Sequence, residues 1–169
     1  MPQRAFDAGR KVPVAVWFHG GAFSGGAGSI ILYDGRHWSH ETDTILVTVN
    51  YRLGALGFLM WNQIEDGESQ NGNWGLLDQR MALQWVQDNI EAFSGDKEKV
   101  MIFGQSAGGV SVAQHIIDEE SRKLFKSVVI HSNPLAIACK LGMQILNAEK
   151  WRQLLLISPK SYFEILYSK

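Results

Sequence analysis

Four short apolar runs, each rich in valine and isoleucine, constrain the fold of this chain more than any other feature. They cover residues 13–19, 44–51, 99–104 and 126–132, and none of them alternates cleanly between polar and apolar side chains. Strands of that kind are covered on both faces, as in a parallel sheet flanked by helices. The runs therefore predict an α/β fold with a mostly parallel central sheet and helices on both faces.

Two helices are predicted between these strands. Residues 75–93 carry two apolar rows whose members are four residues apart. The rows are Leu77, Met81 and Trp85, and Ala82, Val86 and Ile90. Together they predict a broad helix face packed against the sheet. The second helix is predicted from about Ser106 to about Ile117, where a polar connection begins.

A glycine–serine–glycine motif lies between the third apolar run and the second predicted helix. Its residues are Gly104, Gln105, Ser106, Ala107 and Gly108. Between a strand and a helix, this pattern is typical of a nucleophile elbow, because the flanking glycines relieve crowding around a strained serine. It also fits a structural glycine turn or a helix start that binds an anion. The motif predicts Ser106 as a nucleophile and leaves those two alternatives open.

A glycine-rich loop follows the first apolar run. Residues 20–29 contain five glycines, and the sequence His-Gly-Gly-Ala-Phe occupies positions 19–23. An interdomain linker could have this composition, but a position at the carboxyl end of a strand indicates a ligand-facing loop. Small residues leave backbone N–H groups unshielded, so they can stabilise negative charge on a substrate carbonyl oxygen. One loop would supply these donors and the other the nucleophile.

Composition and charge exclude several other classes of protein. Hydrophobic residues make up 46% of the chain and charged residues 20%, as in a globular domain. Sixteen basic and seventeen acidic residues, without a polybasic stretch, predict no nucleic-acid partner and no anionic-membrane partner. The apolar runs are too short for a bilayer span, and the first residues lack the apolar core of a secretory signal. A complete chain with these features would be cytoplasmic.

Cysteine content limits the covalent and metal chemistry of the chain. Cys139 is the only cysteine, which excludes intramolecular disulfides and cysteine-rich zinc sites. We therefore expect neither a metal nor a cofactor.

The motifs and their surroundings resemble the type B carboxylesterase/cholinesterase family. The resemblance lies in PVAVWFHGGAF (13–23), VNYRLGALGFL (49–59), NGNWGLLDQRMALQWVQDNIEAFSGD (71–96) and VMIFGQSAGG (100–109). It covers about residues 10–135. The third block is the most specific, because hormone-sensitive-lipase-like esterases share the His-Gly-Gly loop and the elbow but lack this block. The resemblance implies a partial α/β-hydrolase fold and hydrolysis of small carboxylic esters through an acyl-serine intermediate.

The resemblance also assigns roles to individual residues. Ser106 matches the nucleophile, and the backbone N–H groups of Gly21, Ala22 and Ala107 match the oxyanion hole. Ser132, on the strand after the second helix, matches a position near the catalytic triad. These roles involve no metal and no cofactor.

The chain lacks an obvious general base for Ser106. A serine nucleophile normally needs a histidine oriented by a carboxylate, and in the family both residues follow well downstream. Of the five histidines, only His131, at the end of a strand close to the elbow, is a candidate, and no acidic residue follows it before Glu149. We expect an N-terminal-half fragment of the family domain that is inactive by itself.

The remaining expectations concern organisation. Residues 1–169 should form a single partial domain, with residues 140–169 as a helical tail whose packing the sequence does not define. The runs at 44–51 and 126–132 should be sheet edges that lack a partner strand, which favours self-association. Arg52 and Asp78 are predicted to form a buried structural ion pair.

Two other functions stay open at this point. One is a non-catalytic, cholinesterase-like binding or adhesion protein. The other is a lipase-type or amidase-type hydrolase that uses the same elbow.

Overall fold

The computed structural model describes residues 9–59 and 72–133 and contains one four-stranded sheet. Its strands are β1 (Val12–Phe18), β2 (Ile45–Val49), β3 (Gly95–Gln105) and β4 (Ser127–His131). The strands are all parallel, in the order β2-β1-β3-β4. Each strand coincides with one of the four apolar runs, which confirms the predicted parallel sheet.

Helices connect the strands. They are α1 (Arg36–Thr42), α2 (Gly54–Phe58), α3 (Trp74–Asn89) and α4 (Ala107–Ile117), with short 3-10 helices at Ile31–Tyr33, Ile90–Phe93 and Ser121–Leu124. Both predicted helices are confirmed, the first as α3 and the 3-10 turn that follows it. The sequence did not indicate α1, because only Ser39 of its seven residues is buried and no apolar period marks it.

Helices cover both faces of the sheet. Trp17 and Phe103 are neighbours on β1 and β3 and point to one face, where Trp38 of α1 lies 5.9 Å from Phe103 between ring centroids. Phe18 points to the other face, where its ring lies 5.3 Å from that of His115 on α4. This arrangement agrees with strands that show no polar alternation.

The predicted burial of α3 is correct for one apolar row and wrong for the other. Val86 and Ile90 are buried and Ala82 is partly buried, but Leu77, Met81 and Trp85 are 43%, 72% and 46% exposed. The stripe that faces the sheet runs through Gln79, Leu83, Val86 and Ile90. Gln79 is polar, so counting apolar residues shifted the predicted face away from the observed one.

The ion pair between Arg52 and Asp78 forms, but it is not buried as predicted. An Arg52 Nη2 atom lies 2.7 Å from Asp78 Oδ1, and the two side chains are 50% and 23% exposed. The Arg52 backbone N–H also donates to Asp78 Oδ2, at 2.9 Å. The pair therefore joins the segment before α2 to α3 at the protein surface.

The carboxyl ends of the strands meet at one edge of the sheet. Phe18 pairs with Val49 and with Gly104, and Gln105 pairs with His131. The loop after β1 and the turn after β3 therefore start side by side. The predicted helical tail at 140–169 and Cys139 lie outside the described residues.

Candidate active site

Ser106 occupies a sharp, strained turn between β3 and α4. Its backbone angles are φ 57° and ψ −120°, a combination that residues with a side chain rarely adopt. Its N–H donates to the His131 carbonyl at 3.0 Å, and its own carbonyl accepts the Val110 N–H at 3.0 Å. The turn is thus held from β4 on one side and from α4 on the other.

The glycines around Ser106 are required by close backbone contacts. A Cβ atom on Gly104 would lie 2.4 Å from the carbonyl of Gly108. A Cβ atom on Gly108 would lie 1.9 Å from the Phe18 carbonyl oxygen on β1. The Gly-x-Ser-x-Gly pattern therefore reflects a turn packed directly against the neighbouring strand, with no space for larger residues.

The loop after β1 lies against this turn. A Cβ atom on Gly20 would lie 3.1 Å from Ser106 Cβ, so the two segments are in contact. The next three residues all have positive φ angles: 117° at Gly21, 53° at Ala22 and 59° at Phe23. The Gly21 carbonyl accepts the N–H of Gly25 at 3.1 Å and closes the turn.

Among the described residues, the backbone donors predicted for the oxyanion hole have no protein acceptor. Within residues 9–59 and 72–133, the N–H groups of Gly21, Ala22 and Ala107 donate to no other protein group. Gly21 and Ala22 are exposed, and Ala107 begins α4, where the first N–H groups have no intrahelical acceptor. The helix N-terminus also adds a partial positive charge beside Ser106.

Tyr51 anchors the loop at His19, a contact that the sequence did not reveal. The Tyr51 hydroxyl donates to the His19 carbonyl at 2.7 Å, and the two rings stack with centroids 4.5 Å apart. Burial raises the pKa of the Tyr51 hydroxyl, so it remains a protonated donor at neutral pH. The sequence offered one signal for this contact: Tyr51 is an aromatic residue just beyond the end of β2, the strand that neighbours β1.

His131 and Ser132 lie beside the turn, and among the described residues neither side chain hydrogen-bonds to Ser106. The His131 carbonyl holds the Ser106 N–H, whereas its ring is exposed. In the part of the chain that the structure describes, no side chain hydrogen-bonds to the Ser106 hydroxyl. Ser132 is exposed and has φ 46°. The role of His131 as a base, and that of Ser132 near a triad, stay predictions.

His115 lies on α4, and its surroundings keep its imidazole ring uncharged at pH 7. It is 2% exposed and hydrogen-bonds to Gln79 and Ser121. Burial lowers its pKa, the charge of Asp118 raises it and that of Arg80 lowers it, and the resulting pKa is about 4. The sequence identified neither this cluster nor the burial of Gln79.

The described residues contain neither a candidate metal-binding cluster nor a candidate membrane-spanning helix. Residues 9–59 and 72–133 bring together no cluster of three or more histidine, cysteine or acidic side chains able to bind a metal ion. The same residues include no helix with the length and apolarity of a membrane span.

Comparison with known proteins identifies the family. A family model described as "Carboxylesterase family" matches residues 1–154. The chain is 47% identical over 137 residues to the crystal protein of Dictyostelium discoideum, which is 81% of this chain and 24% of that protein. It is 50% identical over 119 residues to cholinesterase 1 of Branchiostoma lanceolatum, 70% of this chain and 32% of that protein.

A third relative, the acetylcholinesterase of Electrophorus electricus, is 46% identical over 122 residues, 72% of this chain and 19% of that protein. The chain therefore spans less than a third of the length of these relatives. Its parallel sheet, helices and serine turn form part of an α/β-hydrolase fold, and the chain belongs to the carboxylesterase family.

Proposed function

We propose that this chain carries the acylation half of a serine carboxylesterase site, with Ser106 as the nucleophile for small carboxylic esters. One observation carries the proposal: the strained Ser106 turn and the loop after β1 are in contact. A Cβ atom added to Gly20 would lie only 3.1 Å from Ser106 Cβ. Family membership independently supports carboxylic ester hydrolysis as the reaction class.

The geometry accounts for acyl transfer as follows. The Ser106 hydroxyl oxygen attacks the ester carbonyl carbon, and the carbonyl oxygen takes up negative charge. The N–H groups of Gly21, Ala22 and Ala107 stabilise that charge, and one such donor is typically worth about 10²–10³ in rate. The carbonyl then re-forms, the alcohol leaves with a proton, and the acyl group remains on Ser106.

The proton of the Ser106 hydroxyl needs an acceptor that the described residues do not supply. His19 Nδ1 lies 2.8 Å from the Gly20 carbonyl, and its Nε2 atom is buried. His115 is engaged by Gln79 and Ser121. We therefore propose that the chain alone reacts slowly and does not turn over ester.

Binding without turnover is the second candidate function. The lack of a base beside Ser106 in residues 9–59 and 72–133 favours it. In that case the loop and the turn would bind an ester or a protein partner, and Ser106 would not react.

The test uses a fluorophosphonate probe, which reacts irreversibly with nucleophilic serines and therefore accumulates even in a slow reaction, and p-nitrophenyl acetate, which reports turnover. We expect the 169-residue chain to be labelled by the probe, to show no turnover, and to lose labelling in Ser106→Ala. Ser127→Ala, an exposed serine at the start of β4, is the matched control and should label like the unaltered chain.

Each other outcome has a defined meaning. Labelling that persists in Ser106→Ala would refute Ser106 as the nucleophile. Absence of both labelling and turnover would support the binding function. Turnover that depends on Ser106 and disappears in His131→Gln would establish His131 as the base.

Self-association through the sheet edges is part of the proposal. Among the described residues, β2 and β4 each pair with one strand only, and the apolar residues of β4 are partly exposed. Open edges of this kind pair readily with other chains. Size-exclusion chromatography that gives a stable monomer across the micromolar range would contradict this part.

A further inference from the structure

A chain of side-chain hydrogen bonds runs behind the Ser106 turn. The Ser111 hydroxyl donates to the Ala107 carbonyl at 3.1 Å, and the Gln79 amide donates to the Ser111 hydroxyl at 3.0 Å. His115 Nε2 lies 2.9 Å from the Gln79 carbonyl oxygen. His115 Nδ1 lies 3.0 Å from the Ser121 hydroxyl. This network of hydrogen bonds connects α3, α4 and the 3-10 helix that follows α4.

All four polar side chains of this network are buried. Gln79, Ser111 and Ser121 are 0% exposed and His115 is 2% exposed. Burying such groups is unfavourable unless they have partners, and here each polar atom of the four lies within hydrogen-bonding distance of another polar atom. A buried polar network of this kind favours one arrangement of the elements that contribute to it.

The network ends on two acceptors, the Ala107 carbonyl and the Asp118 carboxylate, and with a neutral His115 its side chains supply one proton fewer than its five contacts require. The Ser111 hydroxyl has one proton, which goes to the Ala107 carbonyl, so its oxygen accepts from the Gln79 amide group. The Gln79 carbonyl oxygen is then an acceptor and requires a proton on His115 Nε2. Because the ring is neutral, Nδ1 then carries no proton, and its contact with Ser121, whose own proton goes to Asp118, is the one that lacks a hydrogen.

The opposite direction has a different consequence for the turn. With its proton on Nδ1, His115 would donate to Ser121, whose hydroxyl donates to Asp118, and the contact between Ser111 and Ala107 would be the one that lacks a hydrogen. The Gln79 amide would have to rotate, and Ser111 would donate to Gln79 instead of Ala107. The tautomer of His115 thus decides whether the Ser111 hydroxyl donates to the Ala107 carbonyl in the first turn of α4.

We propose that Gln79 is a positioning residue for Ser106, and that it acts through Ser111 on the Ala107 carbonyl. Ala107 directly follows Ser106, whose φ of 57° persists only if its surroundings enforce it. Gln79 lies on another helix, so the network fixes the turn relative to α3. The importance of Gln79 for catalysis rests on the proposed function of Ser106.

The first test determines the histidine tautomer by ¹⁵N NMR of the histidine-labelled chain at pH 7. We expect the His115 ring to be neutral with its proton on Nε2. A His115→Asn sample assigns the signals. A proton on Nδ1 would overturn the proposed direction and with it the link to Ala107.

The second test measures amide hydrogen exchange in Gln79→Met and Ser111→Ala. The N–H groups of Ser106 and Val110 report on the turn, and Ile102 in β3 reports on the core. We expect exchange at Ser106 and Val110 to accelerate roughly tenfold in both variants, with Ile102 unchanged. Gln84→Met, which removes an exposed bond to Asp88 on the same helix, is the matched control and should change neither.

Two results would refute positioning by Gln79. One is unchanged exchange at Ser106 and Val110. The other is equal acceleration at Ile102, because that would indicate a general loss of stability. Ser111→Ala deletes only one hydroxyl, so it provides the measurement even if Gln79→Met does not fold.

Neither measurement requires Ser106 to react. The positioning role of Gln79 and the proposed function of Ser106 can therefore be refuted independently of each other. If the probe does not label Ser106 but exchange changes as expected, the proposed function is wrong and Gln79 still positions the turn. If Ser106 is labelled, its labelling rate should fall about tenfold in Gln79→Met and stay constant in Gln84→Met. A labelling rate unaffected by Gln79→Met would refute the positioning role.

Discussion

The Ser106 turn and the outer face of α3 differ in what determines their structure. In the turn, backbone atoms approach so closely that a Cβ on Gly108 would lie 1.9 Å from the Phe18 carbonyl oxygen. On the outer face of α3, Leu77, Met81 and Trp85 are 43% to 72% exposed. The turn is determined by its own residues and the adjacent strand. Burial of the helix face depends on which segments pack against it, so composition alone does not predict it.

Gly108→Ala should show the largest effect. In an ordinary helix this change is stabilising by up to about 1 kcal/mol. Here the added Cβ would overlap backbone of β1, which cannot move without disrupting the sheet, so we expect a loss above about 4 kcal/mol or no folding. Urea denaturation followed by tryptophan fluorescence measures the difference.

Gly25→Ala is the control for that change. A Cβ on Gly25 meets nothing within 4 Å, so its free energy of unfolding should change by less than about 0.5 kcal/mol. Equal stability of the two variants would mean that the turn does not pack against β1 as described.

Acidification should have the next largest effect, through His115. Its pKa is about 4 in the folded chain against 6.5 for an ordinary histidine, mainly because of burial. The unfolded chain therefore takes up the proton first as pH falls. The contribution of His115 is complete above pH 6.5, declines below it and is lost by about pH 4, in total about 3 kcal/mol.

His115→Asn separates this effect from the titration of carboxylates. Unfolding measured between pH 7 and pH 4 should show a smaller decline in the variant than in the unaltered chain. Parallel declines would mean that His115 is accessible to solvent in the folded protein.

Disruption of the Arg52–Asp78 pair should have a smaller effect. Loss of a partner from a buried pair costs about 3–5 kcal/mol, whereas an exposed pair contributes at most about 1 kcal/mol. Arg52 is 50% exposed, so we expect a double-mutant cycle of Arg52→Gln and Asp78→Asn to give a coupling in the range of exposed pairs. A coupling above about 3 kcal/mol would restore the interpretation as a buried pair.

The range of the interactions explains what the sequence could predict. The strands, the Ser106 turn and the loop after β1 depend on residues close together in sequence, and the expected parallel sheet is confirmed. The Gln79 network joins residues 32 and 36 positions apart, and no local pattern marks it. A buried glutamine inside an apolar stripe resembles an exposed one until the neighbouring helix is known.

The same reasoning applies to the loop residues of the site. The glycines at 20 and 21 indicated a donor loop, but the positive φ angles of Ala22 and Phe23 followed no sequence rule, since such angles favour glycine and asparagine. Those angles depend on Tyr51 holding the His19 carbonyl and on Gly54 donating to the Phe23 carbonyl at 2.6 Å. Both contacts come from beyond β2, on the other side of β1.

Met81→Gln should have the smallest effect. It tests whether the outer face of α3 is exposed in solution. Met81 is 72% exposed, so its replacement should change the free energy of unfolding by less than about 0.5 kcal/mol. Leu83→Ala, two residues away on the buried stripe at 0% exposed, should cost about 2–5 kcal/mol. If Met81→Gln cost as much as Leu83→Ala, the outer face of α3 would be covered in solution, and its apolar row would be part of a core after all.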